Sequence, residues 1–227
     1  MHIPDGYLGP TTCAAGYLIM APVWSVAARK VKQNLETRQV PMLAIGSAFS
    51  FLIMMFNVPI PGGTTGHAVG GALVAILLGP WAAVIAVSIA LAVQALLFGD
   101  GGITAYGANC LNMAVILPFT GYYIYQWVSG KAKPGSARRI WAAGFGGYVG
   151  LSLAAAIAGI EFGLQPLLHH APDGHALYCP YGLSVTVPAM LGGHMLVFSW
   201  VEAVVTALVV KYLHQYSPEL FEGEAFP

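Results

Sequence analysis

The beginning of the chain, Met1-His2, combines residue types that can chelate a metal ion. A free amino terminus followed directly by histidine offers three nitrogens: the Met1 amine, the Met1–His2 amide after deprotonation, and the His2 imidazole. Chelation through them closes a five-membered and a six-membered ring, which holds the nitrogens near one plane. One further imidazole completes a square, and the candidate is His67, which ends the glycine-rich segment 62–67. Square-planar nitrogen coordination favours Ni(II) and Cu(II), whereas zinc prefers a tetrahedron.

The Met-His pattern is weak by itself, because any chain that starts this way matches it. The proposed chelate also requires that Met1 is retained, and methionine is normally left in place before a residue as large as histidine. We find no pattern of a cleavable signal peptide, since the N-terminus lacks a basic region and Pro4, Asp5 and Gly6 precede any apolar run. We therefore expect the mature protein to begin at Met1.

Composition places the chain in a membrane. Hydrophobic residues make up 57% of it and charged residues only 8%, with a mean hydropathy of +0.71, whereas about a quarter of the residues of a typical soluble domain are charged. Nine basic and nine acidic residues give no net charge, which disfavours nucleic acid as a partner. The sequence therefore predicts an integral membrane protein.

The apolar runs predict an all-α bundle of seven transmembrane helices within one membrane domain, residues 1–227. The alternation typical of barrel strands is absent, and helices also satisfy their own backbone hydrogen bonds in lipid. The predicted spans are approximately 12–28, 40–56, 68–78, 81–98, 105–128, 140–160 and 185–210.

The distribution of basic residues decides the number of crossings. Residues 68–98 carry no charge and have one break, Gly79-Pro80. If this run folds back at the break, four crossings separate the two basic clusters and both lie in the cytoplasm, as the positive-inside rule requires. The two clusters are Arg29, Lys30, Lys32 and Arg38, and Lys131, Lys133, Arg138 and Arg139.

This topology has two consequences for the candidate metal ligands. The C-terminus is cytoplasmic and the N-terminus external, so Met1, His2 and His67 share the external face. The first arm of the hairpin, 68–78, is about 16 Å long at 1.5 Å per residue, too short to span alone. Its N-terminus is therefore expected within the depth of the membrane, directly after His67. The acidic residues that become cytoplasmic are Glu219, Glu222 and Glu224.

Other polar residues support different functions. His194 and Glu202 lie near one face of the last span, where charged residues are costly, so a membrane-embedded enzyme is one alternative. A second alternative is a passive channel for a small solute, which Asn109 and Asn112 would line. Glu202 also has a structural interpretation, as an acceptor of interhelical hydrogen bonds. Three histidines of the connection before the last span, His169, His170 and His175, are expected to contribute little to metal binding.

Three segments strongly resemble the CbiM/NikM family, the substrate-specific membrane components of energy-coupling factor transporters for cobalt and nickel. They are Met1-His2-Ile3-Pro4-Asp5-Gly6-Tyr7-Leu8, Gly66-His67-Ala68-Val69-Gly70-Gly71, and residues 99–114 with Gly99-Asp100-Gly101-Gly102 at their start. The likeness covers nearly the whole chain, and it is closest to NikM.

The resemblance implies a seven-helix protein of the prokaryotic cell (inner) membrane, whose N-terminal segment enters the bundle to bind the ion. The family's ligands map onto Met1, His2 and His67. The expected partners are a transmembrane coupling subunit, two cytoplasmic ATPase subunits and a small auxiliary membrane protein. The chain has no Walker motif, so we expect no ATPase activity of its own. Nickel is preferred over cobalt, because a square of four nitrogens suits a low-spin d8 ion better than a d7 ion.

Overall fold

A computed structural model of the protein describes residues 1–34 and 40–221, and it is mostly helical, as predicted. Three charged residues used in the topology prediction, Arg38, Glu222 and Glu224, lie outside the described residues. Two helices open the chain, α1 (Pro10–Asn34) and α2 (Val40–Met54). Residues 1–9 precede α1 and carry the candidate N-terminal ligands.

A short hairpin leads from α2 to His67. Its strands β1 (Val58–Pro59) and β2 (Thr65–Gly66) are antiparallel, with Val58 opposite Gly66. The Ile60 amide donates a hydrogen bond to the Thr64 carbonyl, which closes the turn between the strands. This pairing fixes the backbone immediately before His67.

The apolar run that follows is broken at Gly79, where the sequence predicts a hairpin. Helix α3 (Gly71–Leu78) ends there and α4 (Pro80–Val93) begins at the next residue. Gly79 has a φ of 83°, which favours glycine, and proline suits the first position of a helix because its missing N–H needs no partner there. Side chains of both helices, including Val74 and Ala86, share one buried apolar cluster, so the helices pack together.

Three π-helical turns interrupt the remaining helices. The first, Gln94–Phe98, extends α4. The second, Leu111–Ile116, joins α5 (Tyr106–Cys110) to α6 (Leu117–Ser129), and the third, His194–Phe198, joins α9 (Leu183–Gly193) to α10 (Ser199–Tyr216). The long helix α7 (Ala137–Gly163) and the short α8 (Gln165–Leu168) lie between α6 and α9, and a 3₁₀ turn, Pro218–Phe221, follows α10.

Small residues allow close contact between α6 and α7. A Cβ atom on Gly146 would lie 2.5 Å from the Gly121 carbonyl oxygen, and one on Gly150 would lie 2.7 Å from the Leu117 carbonyl oxygen. Membrane helices commonly pack through such residues, because their backbones can approach closely.

Four helical stretches in the described part of the chain are long and apolar enough to cross a membrane. They are Pro10–Gln33, Pro80–Phe98, Ala137–Leu168 and Leu183–Tyr216, and α2 is a shorter apolar helix. The count of seven spans, their boundaries and the orientation of the two termini stay predictions.

Candidate metal centre

The N-terminal segment is inserted into the helical bundle. Met1 and Ile3 are 1% and 0% exposed and belong to the main apolar cluster of the protein. Asn109 holds the Ile3 backbone with two hydrogen bonds, because its Oδ1 accepts from the Ile3 amide at 2.9 Å and its Nδ2 donates to the Ile3 carbonyl at 3.1 Å. The Gly102 amide donates to the same carbonyl at 2.7 Å. These bonds fix the residue next to His2.

Asp5 and Tyr7 fasten the segment to two loops. The Asp5 carboxylate accepts hydrogen bonds from the Ile103 and Thr104 amides, at 3.2 and 2.8 Å, and from the Thr104 hydroxyl at 2.5 Å. The bonds from Thr104 lower the pKa of the Asp5 carboxyl, so this residue is ionised at neutral pH. The Tyr7 hydroxyl donates to the Gly63 carbonyl at 2.8 Å, which connects the segment to the hairpin before His67.

The Met1 amine lies at Thr65, in strand β2. It donates hydrogen bonds to the Thr65 carbonyl and to the Thr65 hydroxyl, the latter at 3.1 Å. Burial lowers the pKa of the amine well below its usual value, although the negative charge of Asp100 acts in the opposite direction. A lowered pKa favours the neutral amine, which is the form that binds a metal ion.

The His2 ring presents one free nitrogen. Its Nε2 is 3.0 Å from Oε1 of Gln94, which can only accept, so Nε2 carries the proton. Its Nδ1 has no hydrogen-bond partner and lies 3.5 Å from Oδ1 of Asp100. Burial and the nearby amine lower the pKa of His2 to about 3, so the ring is neutral and this approach is not an ion pair. Nδ1 is the nitrogen that closes the six-membered chelate ring.

The His2 amide nitrogen is also free, since it forms no hydrogen bond with another described residue. Its neighbour Ile3 differs, because the Ile3 amide is bound by Asn109. An amide without an acceptor can lose its proton to a metal ion without breaking a protein hydrogen bond.

His67 presents a third free nitrogen to the same region. The ring is fully buried and stacks on the His2 ring, with centroids 4.5 Å apart and planes at 26°. Its Nδ1 is 3.0 Å from the Ala68 carbonyl oxygen and must donate the proton, which leaves the lone pair on the unpartnered Nε2. The structure thus brings the predicted ligands Met1, His2 and His67 together.

Glu202 holds the backbone that follows His67. Its Oε2 accepts hydrogen bonds from the Val69 and Gly70 amides, each at 2.8 Å. These two residues directly precede α3, and Gly70 is its N-cap, so the carboxylate lies at the N-terminal end of the helix, where the helix dipole stabilises a negative charge. His194 is engaged elsewhere, since its Nδ1 is 2.7 Å from the Met190 carbonyl oxygen. Glu202 thus accepts hydrogen bonds from the backbone, as its structural interpretation predicts, whereas Glu202 Oε1 and His194 Nε2 have no hydrogen-bond partner in the described part of the chain.

The asparagines and loop histidines also hold protein segments. Asn109 binds Ile3, as described above, and Asn112 Nδ2 donates to a Glu161 carboxylate oxygen at 2.7 Å. His169 Nε2 is 2.8 Å from the Thr11 hydroxyl, and its ring packs against Tyr178. Within residues 1–34 and 40–221, no three His, Cys, Asp or Glu side chains come together as metal ligands.

Sequence reasoning missed two contacts of the site, those of Gln94 and Thr65. Gln94 is a polar residue within an otherwise apolar span, and such residues commonly face a functional interior. Thr65 has no comparable signal, because its contact with Met1 joins residues 64 positions apart.

The sequence is similar to those of known proteins. Residues 2–220 match the CbiM family, described as the cobalt uptake substrate-specific transmembrane region. The chain belongs to the CbiM family. It is 54% identical over 224 residues to a Lactiplantibacillus plantarum protein named "Probable fused nickel transport protein LarMN", and 51% identical over 227 residues to the fused nickel transport protein NikMN of Rhodobacter capsulatus.

These alignments cover 96% and 100% of the chain, which spans 66% and 65% of the length of the two fused relatives. A crystal structure of a truncated transition metal transporter is also similar. It superimposes with a TM-score of 0.91 at 56% identity, covering 95% of this chain and 99% of that one. Membership of the CbiM family confirms the resemblance seen in the sequence.

Proposed function

We propose that this chain is the substrate-binding membrane component of an ATP-driven uptake system for Ni(II) or Co(II). The ion is captured at an external site by the Met1 amine, the Met1–His2 amide, His2 Nδ1 and His67 Nε2. The observation that carries the proposal is the convergence of free, buried nitrogens on His2 and His67 beside the Met1 amine. Membership of a metal-uptake family supports it.

Four nitrogens near one plane favour Ni(II) as the cargo. The tridentate unit at Met1-His2 leaves one corner, and His67 Nε2 supplies it from the connection before α3. Cobalt stays a candidate, since the family description names it.

We further propose that partner subunits supply the energy. The chain has no Walker motif, and the proposed partners are a transmembrane coupling subunit, two cytoplasmic ATPase subunits and a small auxiliary membrane protein. The assembly lies in the prokaryotic cell membrane. This chain alone then binds the ion but does not hydrolyse ATP.

The amino terminus gives the sharpest test. One residue added ahead of Met1 converts the amine into a second amide and shifts the chelate frame, so nickel binding should be lost at micromolar concentrations. His67→Ala removes the fourth corner and should also weaken binding strongly. The measurement is titration calorimetry on the purified chain with a C-terminal tag, after mass spectrometry has confirmed a free Met1.

Two loop variants serve as matched controls. His169→Ala and His175→Ala remove histidines that do not contact His2 or His67, and their affinity should equal that of the unmodified protein. Full nickel affinity in the extended protein would contradict the site. Loss of binding in the loop variants would instead move the site to the connection before α9.

A further inference from the structure

An apolar groove runs along the surface of the protein between α7 and α10. The two helices approach closely at its base, since a Cβ atom on Gly144 would lie 3.1 Å from the Ala203 carbonyl oxygen. The groove has a volume of about 470 Å³, and its walls carry large apolar side chains such as Phe145 and Val204. Both of these side chains are exposed. The groove therefore opens toward the surrounding lipid and not into the bundle.

Contacts between the two helices show that they are antiparallel. Tyr148 of α7 packs on Trp200 near the start of α10, with ring centroids 5.0 Å apart, and these two side chains line one end of the groove. Gly135, just before α7, lies beside His214 near the end of α10, because a Cβ atom there would be 3.8 Å from the His214 Cβ. The other end of the groove therefore points toward the start of α7 and the end of α10.

This second end of the groove is positively charged. Along α10, Lys211 follows the lining residue Ala207 by four positions, so it continues the same face by one turn. Along α7, the same step leads from Trp141 back to Ala137, the first residue of the helix, and Arg138 comes next. Lys211, Ala137 and Arg138 are exposed. The first amides of a helix and its dipole also favour an anion, so this end suits a negatively charged group.

The size of the groove favours an acyl chain over a helix. From Ile140 to Tyr148, α7 rises about 12 Å, and a helix about 10 Å wide would need roughly 900 Å³ over that length. The groove holds about half of this volume, which suits a narrower chain. Trp141 stands near the positively charged end and is 76% exposed, and tryptophan is enriched at the level of lipid headgroups.

We propose that this groove binds one anionic phospholipid of the phosphatidylglycerol type. An acyl chain lies between α7 and α10, and the phosphate lies between Lys211 and the N-terminal end of α7. Basic sites between membrane helices bind anionic headgroups on the cytoplasmic side, and Arg138 belongs to a basic cluster that is predicted to be cytoplasmic. The lipid site shares no residue with the proposed metal centre, and its test does not depend on that centre.

Native mass spectrometry of the purified full chain can measure this binding. The protein is titrated with phosphatidylglycerol and with phosphatidylcholine of identical acyl chains, and we expect one tightly bound phosphatidylglycerol. Lys211→Gln should weaken its binding about fivefold, the usual contribution of one basic residue near an anionic membrane. Lys32→Gln is the matched control, because it removes the same charge from α1, which packs against α4 and α5. Its lipid affinity should equal that of the native protein.

Val204→Trp tests the position of the acyl chain. Val204 is exposed and lines the groove, so the larger ring should fill the space without disturbing the fold, and phosphatidylglycerol should no longer be retained. Thermal unfolding in detergent checks that the variant is folded. If Val204→Trp does not fold, Val204→Phe is judged by the same measurement. A folded variant that retains the lipid at full affinity would contradict the placement of the acyl chain.

Three other results would overturn the proposal. Equal binding of the two lipids, or full phosphatidylglycerol affinity in Lys211→Gln, would show that the groove holds only ordinary surrounding lipid. Displacement of the bound lipid on assembly with the proposed partner subunits would instead assign the groove to a transmembrane helix of a partner.

Discussion

Protons compete with the metal ion for the free nitrogens of His2 and for the Met1 amine, so the pKa values of these groups affect binding. Burial lowers the pKa of both groups, that of His2 to about 3. A base whose pKa is lowered stays deprotonated down to a lower pH, so protonation of His2 does not oppose metal binding near neutral pH. In the proposed site, the remaining source of proton release is the Met1–His2 amide, which would have to lose its proton to become a ligand.

We therefore expect nickel affinity to rise about tenfold per pH unit between pH 7 and 8, with about one proton released per ion. An imidazole of ordinary pKa near 6.5 is already neutral there and would give little dependence. Calorimetry in buffers of different ionisation enthalpy counts the released protons directly. An affinity that is constant over this range, with no proton released, would exclude the amide as a ligand.

The sequence predicts Met1, His2 and His67 as ligands because two histidines and a chain terminus are chemically distinctive, and the structure places these residues together. The sequence does not identify what holds them. Gln94 contacts His2 across 92 residues and Glu202 contacts Val69 across 133, and no local periodicity encodes a pairing over such distances. Asn109 was considered as a channel residue, and only the tertiary structure shows that it binds the Ile3 backbone.

Helix α3 depends on a carboxylate from another element. Glu202 accepts hydrogen bonds from the amides of Val69 and Gly70, the two residues directly before the helix, which have no acceptor within it. This capping also positions His67, which lies two residues before Val69. A membrane interior offers no water as a substitute acceptor, so the contact should matter more than a surface cap.

Glu202→Ala should destabilise the protein and weaken nickel binding together. Each buried amide left without an acceptor costs about 1–3 kcal/mol, so the thermal unfolding temperature in detergent should fall clearly. Glu202→Gln keeps an oxygen acceptor at the same position, and we expect an intermediate temperature. Asp173→Asn, at an exposed residue of the loop before α9, is the control. If the alanine variant is as stable as the native protein, the capping role is wrong.

The elements themselves were predictable to different degrees. The break at Gly79-Pro80 follows from the conformations that glycine and proline favour, and the structure has a helix end and a helix start there. The three π-helical turns were not predicted, because one extra residue in a turn barely changes an apolar sequence pattern. They nevertheless carry polar residues of the interior, Gln94, Asn112 and His194.

A labelling experiment can test which side of the membrane each loop of the molecule faces. The three native cysteines are buried, so single cysteines introduced at exposed positions should dominate the reaction with an impermeant thiol reagent on intact cells. Cysteines at Gln33 and Gly135 should be protected, since both basic clusters are predicted to be cytoplasmic, and one at Asp173 should react. Labelling at Gly135 but not at Gln33 would show that residues 68–98 cross the membrane once.

Transport should require more than this chain. The purified protein is expected to bind nickel without hydrolysing ATP, and sustained uptake in vesicles should appear only when the coupling and ATPase subunits are added. The control uses vesicles that contain the partner subunits and the His67→Ala chain. It measures the uptake that does not depend on the metal site. ATP hydrolysis by the chain alone would contradict the division of roles.

The carboxylate of Asp100, 3.5 Å from His2 Nδ1, has a consequence for the loaded state. Burial raises its pKa, but the amine and Asn57 act to lower it, and a bound dication favours its ionised form further. In the proposed complex the two positive charges of the ion face one negative charge on the deprotonated amide and one on Asp100, so the occupied centre is electroneutral. Such a centre would enclose the ion without a large Born penalty, and the bound ion would add no net charge on which the membrane voltage could act.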